Sequence, residues 1–227
     1  MGSIINSMMF TPHSPYYNES LSYLKFITRG DNNEIKIPIR YIHLDDNYET
    51  IMICHGNAED IGDFNIEYFS KNSQVNVCIF DYAGYGLHSL SHCSEEETRK
   101  DALAVYNYIN PTILYGRSIG TGVACHLANI KQPKKLILVS PFLSIVRLFM
   151  DTVITRDYFE NYKIAPSISS KTLIMHGQND KIIPLYHSTM LSRLFTNLYD
   201  LIIIPDTGHN DIPRDILCEA IKQFASI

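Results

Sequence analysis

The sequence contains no tryptophan, only five cysteines and no long unbroken run of apolar residues. The number of cysteines is odd and none of them forms a Cys-x-x-Cys pair, so we predict buried, reduced thiols rather than a disulfide framework. No apolar run approaches the ~20 residues that a helix needs to cross a bilayer. The chain is therefore expected to have no transmembrane segment.

Basic charge and cofactor motifs are also scarce. Acidic residues outnumber Lys and Arg, and the formal net charge of −5 argues against nucleic acid as a partner, because such proteins usually present a basic face. The Gly-Tyr-Gly segment 84–86 lacks the third glycine of a dinucleotide-binding loop, and no phosphate-binding loop is present, so no cofactor is predicted. Asp206, His209 and Asp211 lie close together in sequence, but no second histidine lies at ligand spacing, so no metal site is predicted.

The amino-terminal segment carries no recognisable targeting signal. Residues 1–10 lack the basic and apolar regions of a secretory signal peptide. Gly2 invites a myristoylation site, but Asn6 stands where that pattern needs Ser or Thr. Together with the reduced thiols, these observations predict a cytoplasmic protein.

Apolar runs of strand length alternate with segments of helix length along most of the chain. Strands joined by helix-length connections lie parallel, so we predict one α/β domain over residues 1–227, with a mostly parallel central sheet and helices on both faces. Strands are expected at 35–44 (antiparallel, from its alternating pattern), 50–54, 75–82, 112–115, 135–139, 171–175 and 199–204, and helices at 61–71, 95–109, 119–130, 184–195 and 213–224.

The segment 112–122 connects sequence to chemistry more directly than any other. Its apolar strand leads into Gly-x-Ser-x-Gly, with Ser118 at the centre, and a helical stretch of small residues follows. This arrangement is typical of a nucleophile elbow, a sharp strand-to-helix turn that exposes a serine hydroxyl at the edge of a sheet. Ser118 is therefore the candidate nucleophile.

Two later strands offer the partners that a serine nucleophile requires, namely a base and an acid that orients the base. Asp180 follows the predicted strand 171–175, and His209 follows the predicted strand 199–204. The carboxyl ends of parallel strands meet at one edge of a sheet, where active sites assemble. We predict Asp180 as the acid and His209 as the base, with Asp206 and Asp211 as alternatives for the acid.

Two backbone N–H groups are predicted to stabilise the oxyanion of a tetrahedral intermediate. One is the N–H of Ile119, directly after the candidate nucleophile. The other is expected in the loop after the strand 50–54, where a His-Gly pair precedes Asn57 and Ala58. The sequence leaves open which of these two residues is the donor.

One irregular stretch, residues 142–170, interrupts the alternation of strands and helices. It follows the strand after the elbow, so we predict a small cap or lid over the site. Phe142 and Leu143 are predicted to line the substrate groove, with Tyr82 at its border. The alternatives are an amphipathic helix packed on the core for the stretch, and simple core packing for Tyr82.

Four motifs carry a resemblance to a known family. They are HGNAEDIG at 55–62, DYAGYG at 81–86, LYGRSIGT at 114–121 and GHND at 208–211. Together they resemble small serine hydrolases of the α/β-hydrolase superfamily, a branch that includes the eukaryotic protein depalmitoylases of the α/β-hydrolase-domain class and related bacterial and fungal hydrolases. The resemblance implies the α/β-hydrolase fold, with Ser118 as nucleophile, Asp180 as acid and His209 as base.

These observations predict a serine hydrolase that cleaves carboxylic esters or thioesters, of small molecules or acylated proteins, through an acyl-enzyme. The depalmitoylases carry a lipidated, cysteine-rich amino-terminal segment, whereas residues 1–50 here contain no cysteine. Stable membrane anchoring is therefore not expected, and peripheral contact with a membrane is left open. The alternatives are a serine peptidase of the same fold and a hydrolase fold kept as a non-catalytic scaffold.

Overall fold

Strands and helices alternate along the chain in the computed structural model, which describes residues 9–30, 34–149 and 157–227. The strands are β1 (Leu24–Arg29), β2 (Ile35–Ile42), β3 (Thr50–Cys54), β4 (Asn76–Phe80), β5 (Ile113–Arg117), β6 (Lys135–Val139), β7 (Lys171–Gly177) and β8 (Leu198–Ile204). The α-helices are α1 (Ile66–Ser73), α2 (Glu95–Ile109), α3 (Gly120–Lys131), α4 (Asn161–Ile164), α5 (Tyr186–Ser192) and α6 (Arg214–Ala225), with short 3-10 helices at Val146–Leu148 and Ala165–Ser167.

The strands of the described ranges form one sheet in the order β1-β2-β4-β3-β5-β6-β7-β8. β2 pairs antiparallel with both β1 and β4, and the strands from β4 to β8 in this order are parallel. The mostly parallel sheet is therefore confirmed, and β2 is antiparallel as its alternation predicted. The chain leaves β3 for β4 on one side and returns to β5 on the other. The carboxyl ends of β3 and β5 thus flank the point where the strand order reverses, which is where open α/β sheets bind ligands.

Successive residues of the central strands face two separate layers of helices. In β3, Met52 packs in the core that contains residues of α2 and α3, whereas Ile51 and Ile53 pack in the core that contains residues of α1 and α6. All three side chains are buried. Burial on both faces explains why these strands are unbroken apolar runs. No helix of the described residues has both the length and the hydrophobicity needed to cross a membrane.

The structure differs from the sequence-based expectation at several boundaries. β1 was not predicted, and α1 begins at Ile66 rather than at residue 61. The helix begins there because the Asn65 side chain accepts the N–H of Tyr68 at 3.0 Å, as an N-cap residue does. The predicted cap over 142–170 contains only short helical pieces where it is described, and its residues 150–156 lie outside the described ranges.

Candidate active site

Ser118 lies in the turn between β5 and α3 with φ of +52°, a left-handed conformation that is uncommon for any residue other than glycine. Its N–H donates to the carbonyl oxygen of Val139 at 3.0 Å, and its own carbonyl accepts the Oγ1 hydroxyl of Thr121 at 2.6 Å. Gly120 is required in this turn, because a Cβ atom there would lie 2.1 Å from the carbonyl oxygen of Cys54. The turn therefore packs directly against the end of β3 and holds the hydroxyl at the carboxyl edge of the sheet.

Ser118, His209 and Asp180 are joined by two hydrogen bonds. The Nε2 atom of His209 is 3.0 Å from the Oγ atom of Ser118, and its Nδ1 atom is 2.7 Å from the Oδ2 atom of Asp180. The three residues come from the loops that follow β5, β8 and β7, respectively. A carboxylate facing Nδ1 favours the tautomer in which that nitrogen carries the proton, so Nε2 can accept the proton of the serine hydroxyl.

Asp180 is held in its ionised form. Burial alone would raise its pKa, but hydrogen bonds from His176, His209 and the N–H of Ile183 hold that pKa well below its ordinary value. Its Oδ1 atom accepts the N–H groups of Ile182 and Ile183 at 2.9 and 2.8 Å, and the Nε2 atom of His176 lies 3.3 Å from Oδ2. The sequence pattern predicts only a structural role for His176, and its position four residues before Asp180 is the signal that connects it to the candidate acid.

The alternative acids have other surroundings. Asp211 accepts the N–H of Gly208 at 2.6 Å and thereby shapes the loop that carries His209. Asp206 is exposed and lies in the turn after β8 with φ of +53°. Within the described part of the chain, no group of three or more His, Cys, Asp or Glu side chains is arranged to hold a metal ion.

The two candidate positions for the second oxyanion donor differ in their hydrogen bonds. The N–H of Ala58 donates to the Oδ1 atom of Asn57 at 3.1 Å. The same Oδ1 atom accepts the hydroxyl of Tyr85 at 2.6 Å and the N–H of Thr11 at 2.9 Å. Ile119 is the N-cap residue of α3, a position where backbone N–H groups lack partners within the helix. Asn57, Ala58 and Ile119 line the same cavity as the candidate nucleophile.

This cavity has a volume of about 490 Å³ and mostly apolar walls. Its volume lies in the range of small-molecule binding sites. One side of the wall is formed by the described beginning of the predicted cap, namely by Phe142, Ile145, Val146, Leu148 and Phe149, and Met9, Ile182 and Ile183 also contribute. Phe142 therefore lines the cavity next to the candidate nucleophile.

The structure corrects the prediction for Tyr82 and Leu143, neither of which lines this cavity. Tyr82 is fully buried, stacks on the ring of His55 and donates its hydroxyl to the carbonyl oxygen of that histidine at 2.8 Å. Leu143 is buried in the core, where its N–H donates to the Nδ1 atom of His187 at 3.3 Å. Core packing, the alternative reading for Tyr82, accounts for both residues.

Comparison with known proteins gives several similarities over most of the chain, although no profile of a protein family matches it. The chain is 32% identical to the putative alpha/beta hydrolase L404 of Acanthamoeba polyphaga mimivirus, over 97% of this chain and 92% of that protein. It is also 32% identical to human alpha/beta hydrolase domain-containing protein 17B, over 88% of this chain and 74% of that protein.

Solved structures with a similar fold include Est1E from Butyrivibrio proteoclasticus with bound ferulic acid. That similarity has a TM-score of 0.72 at 20% identity and covers 88% of this chain and 97% of the other. Alpha/beta hydrolase domain-containing protein 10 from mouse has a TM-score of 0.68 at 17% identity, over 89% of this chain and 98% of the other.

Proposed function

The chain belongs to the α/β-hydrolase family, and from this premise we propose that it is a serine hydrolase that cleaves carboxylic esters or thioesters through an acyl-enzyme. The observation that carries the proposal is the hydrogen-bonded path from the Ser118 hydroxyl through His209 to the ionised Asp180. At its Ser118 end, this path opens into a mostly apolar cavity that is large enough for an acyl group.

The reaction begins when Ser118 Oγ attacks the carbonyl carbon of the substrate while His209 Nε2 takes the hydroxyl proton. Asp180 holds the imidazole in position and stabilises the imidazolium that forms. The imidazolium then gives its proton to the departing alcohol or thiol, and the acyl group stays on the serine. A water molecule, deprotonated by His209, then attacks the acyl carbon of this acyl-enzyme. The bond to Ser118 Oγ breaks, the imidazolium returns its proton to Oγ, and the carboxylic acid is released.

The oxyanion is stabilised by the N–H groups of Ile119 and Asn57. We choose Asn57 over Ala58 for the second donor because the Ala58 N–H already donates to the Asn57 side chain. That side chain is itself fixed by Tyr85 and Thr11, so the loop is held before substrate binds. Donors fixed in advance stabilise a developing charge without reorganising at the moment of reaction.

The substrates are esters or thioesters whose acyl part is apolar, either small molecules or acylated proteins. The support for this choice is the wall of the cavity, in which apolar side chains surround the hydroxyl of the candidate nucleophile. A buried methylene group contributes roughly 0.8 kcal/mol to binding, so an apolar chain gains affinity in such a cavity.

The proposal is tested by labelling with a fluorophosphonate probe and by hydrolysis of p-nitrophenyl esters and acyl thioesters of graded chain length. We expect the wild type to be labelled and Ser118→Ala to be neither labelled nor active. Ser192→Ala removes an unrelated hydroxyl, which donates to the carbonyl oxygen of Thr189, and is the matched control. A folded wild type that is neither labelled nor active would contradict the proposal and support the scaffold alternative.

A further inference from the structure

The side chain of Arg117 connects two loops that flank the candidate nucleophile. Its Nη1 atom forms an ion pair with Glu59, in the loop after β3. Its Nη2 atom donates to the Oδ1 atom of Asn210 at 2.7 Å and to the carbonyl oxygen of His209 at 3.3 Å, both in the loop after β8. Arg117 is also the residue directly before the nucleophile, so a single guanidinium group joins three segments of the site.

Glu59 extends this connection to the backbone that precedes the proposed oxyanion donor. Its Oε2 atom accepts the N–H of Gly56 at 3.0 Å. A Cβ atom at Gly56 would lie 2.7 Å from the Nη1 atom of Arg117 and 3.0 Å from the Oε1 atom of Glu59. The loop after β3 is therefore fitted closely around the ion pair, directly before Asn57.

The loop that carries His209 is packed at its start, where a Cβ atom at Gly177 would lie 2.5 Å from the carbonyl oxygens of Thr207 and Gly208, but its far end at Asn210 borders open space. A second cavity of about 340 Å³ lies on its other side, and Arg117, His209 and Asn210 line both cavities. The side chain of Asn210 is exposed. Two hydrogen bonds from Arg117 hold the loop at this end.

We propose that Arg117 is a positioning residue. Together with Glu59 and Asn210, it fixes the distance between the loop after β8, which carries the proposed base His209, and the loop after β3, which carries the proposed oxyanion donor Asn57. A planar guanidinium group can bond a carboxylate and two further acceptors at the same time, which a lysine ammonium at the same place cannot do with the same geometry. The inference rests on the proposed function, because the spacing matters for catalysis only if Ser118 reacts. A misplacement of about 1 Å can cost roughly 100-fold in rate.

The first test compares Arg117→Met and Arg117→Lys with the wild type. In Arg117→Met we expect kcat for ester hydrolysis and the rate of fluorophosphonate labelling to fall together, by about 100-fold, while KM changes little, because the cavity wall is kept. Arg117→Lys should recover at most about 10-fold of this loss.

The matched control is Arg29→Met, since Arg29 is also partly buried and bonded to two acids, Glu97 and Asp101, but lines neither cavity. It should lose stability and keep its kcat.

A second test separates positioning from a merely structural role. Arg117→Ala should regain part of its kcat when guanidinium ion is added at concentrations that leave the protein folded, whereas urea should have no such effect. If the Arg117 variants do not fold, Asn210→Ala removes the acceptor of the Arg117 hydrogen bond instead, at an exposed residue. This variant should lower kcat about 10-fold at unchanged KM.

The outcomes distinguish this inference from the proposed function. A wild type that is labelled, together with a folded Arg117→Met whose kcat and labelling rate are unchanged, overturns the positioning role and leaves the proposed function intact. A loss in Arg117→Ala that guanidinium does not rescue, and that matches the loss in Arg29→Met, also overturns it. An unlabelled wild type refutes the proposed function itself.

Discussion

A single carboxylate collects hydrogen bonds from two imidazoles at this site. Besides the bond to His209, the Oδ2 atom of Asp180 lies 3.3 Å from the Nε2 atom of His176. His176 is held in turn by the hydroxyl of Ser188 at 2.6 Å and the carbonyl oxygen of Ile183 at 2.8 Å. Both imidazoles thus contact the same oxygen of Asp180, and they favour its ionised form before any proton moves.

Replacing Asp180 by Asn should therefore lower kcat by about 10⁴-fold with little change in KM. An asparagine amide can donate to Nδ1 of His209 and favour the tautomer in which Nε2 carries a proton and cannot act as a base. Steady-state ester hydrolysis measures this change. Asp206→Asn is the control, because residue 206 is exposed and Asn tolerates its positive φ, so kcat should stay within about twofold. Loss of activity in Asp206→Asn with full activity in Asp180→Asn would reverse the assignment of the acid.

The parallel strands could be predicted because burial on two faces leaves an unmistakable apolar run. β3 and β6 have the bounds that the sequence predicts, 50–54 and 135–139, and each is an apolar run preceded by one polar residue. β1 was missed because it is an edge strand whose residues Lys25 and Phe26 are exposed, so its identity depends on pairing with β2. Ile61 suggested an earlier start for α1, but it is a buried loop residue whose N–H donates to the Oδ1 atom of Asp81 at 2.9 Å.

In the candidate site, too, some features could be predicted from the sequence and others depend on tertiary contacts. Ser118, Asp180 and His209 could be proposed from sequence because each follows a predicted strand and the sheet brings such positions to one edge. The contacts of Arg117 and His176 could not, because they depend on side-chain partners that only the folded loops bring into reach. Sequence spacing points to the candidate reacting groups, whereas the contacts of the residues that we propose to position them emerge only from tertiary structure.

The short 3-10 helix Val146–Leu148 offers a test of the proposed acyl cavity. Val146 is buried and lines the cavity, so Val146→Trp should shorten the chain that fits beside Ser118. If two or three methylene groups lose their contacts, at roughly 0.8 kcal/mol each, kcat/KM for a long-chain p-nitrophenyl ester should fall about 15- to 60-fold. The acetate ester should change less than about threefold.

Ile216→Trp is the control for this prediction, because Ile216 is an exposed apolar residue of α6 outside the cavity. It should leave the dependence on chain length unchanged. Equal losses for short and long esters in Val146→Trp would show that the cavity does not hold the acyl chain.

Over the whole molecule, four buried or partly buried groups outside the proposed triad make the free energy of unfolding depend on pH, and they act in opposite directions. Burial lowers the pKa of His55, His126 and His187 to about 4 and raises the pKa of Asp81 to about 8. In each case removal from water penalises the charged form. The folded and unfolded chains therefore bind different numbers of protons, and the free energy of unfolding must depend on pH.

As pH falls from about 6.5 to about 4, the unfolded chain takes up protons on His55, His126 and His187 that the folded chain refuses, so acid lowers the free energy of unfolding. As pH rises from about 4 to about 8, unfolded Asp81 releases a proton that the folded chain keeps, so this group destabilises the fold with rising pH. Three histidines outweigh one aspartate below about pH 6.5, and of these four groups Asp81 alone acts above it.

We therefore predict a maximum of stability near pH 6.5, with a decline of about 2 kcal/mol up to pH 8 that Asp81→Asn removes. Urea denaturation at a series of pH values measures the free energy of unfolding on both sides of this maximum. The loss of stability below pH 6.5 should persist in Asp81→Asn, because the three histidines are unchanged. A decline above pH 6.5 that is equally steep in the wild type and in Asp81→Asn would show that Asp81 is ionised in the folded protein, and that the bonds it accepts from Tyr17 and Ile61 outweigh the cost of its burial.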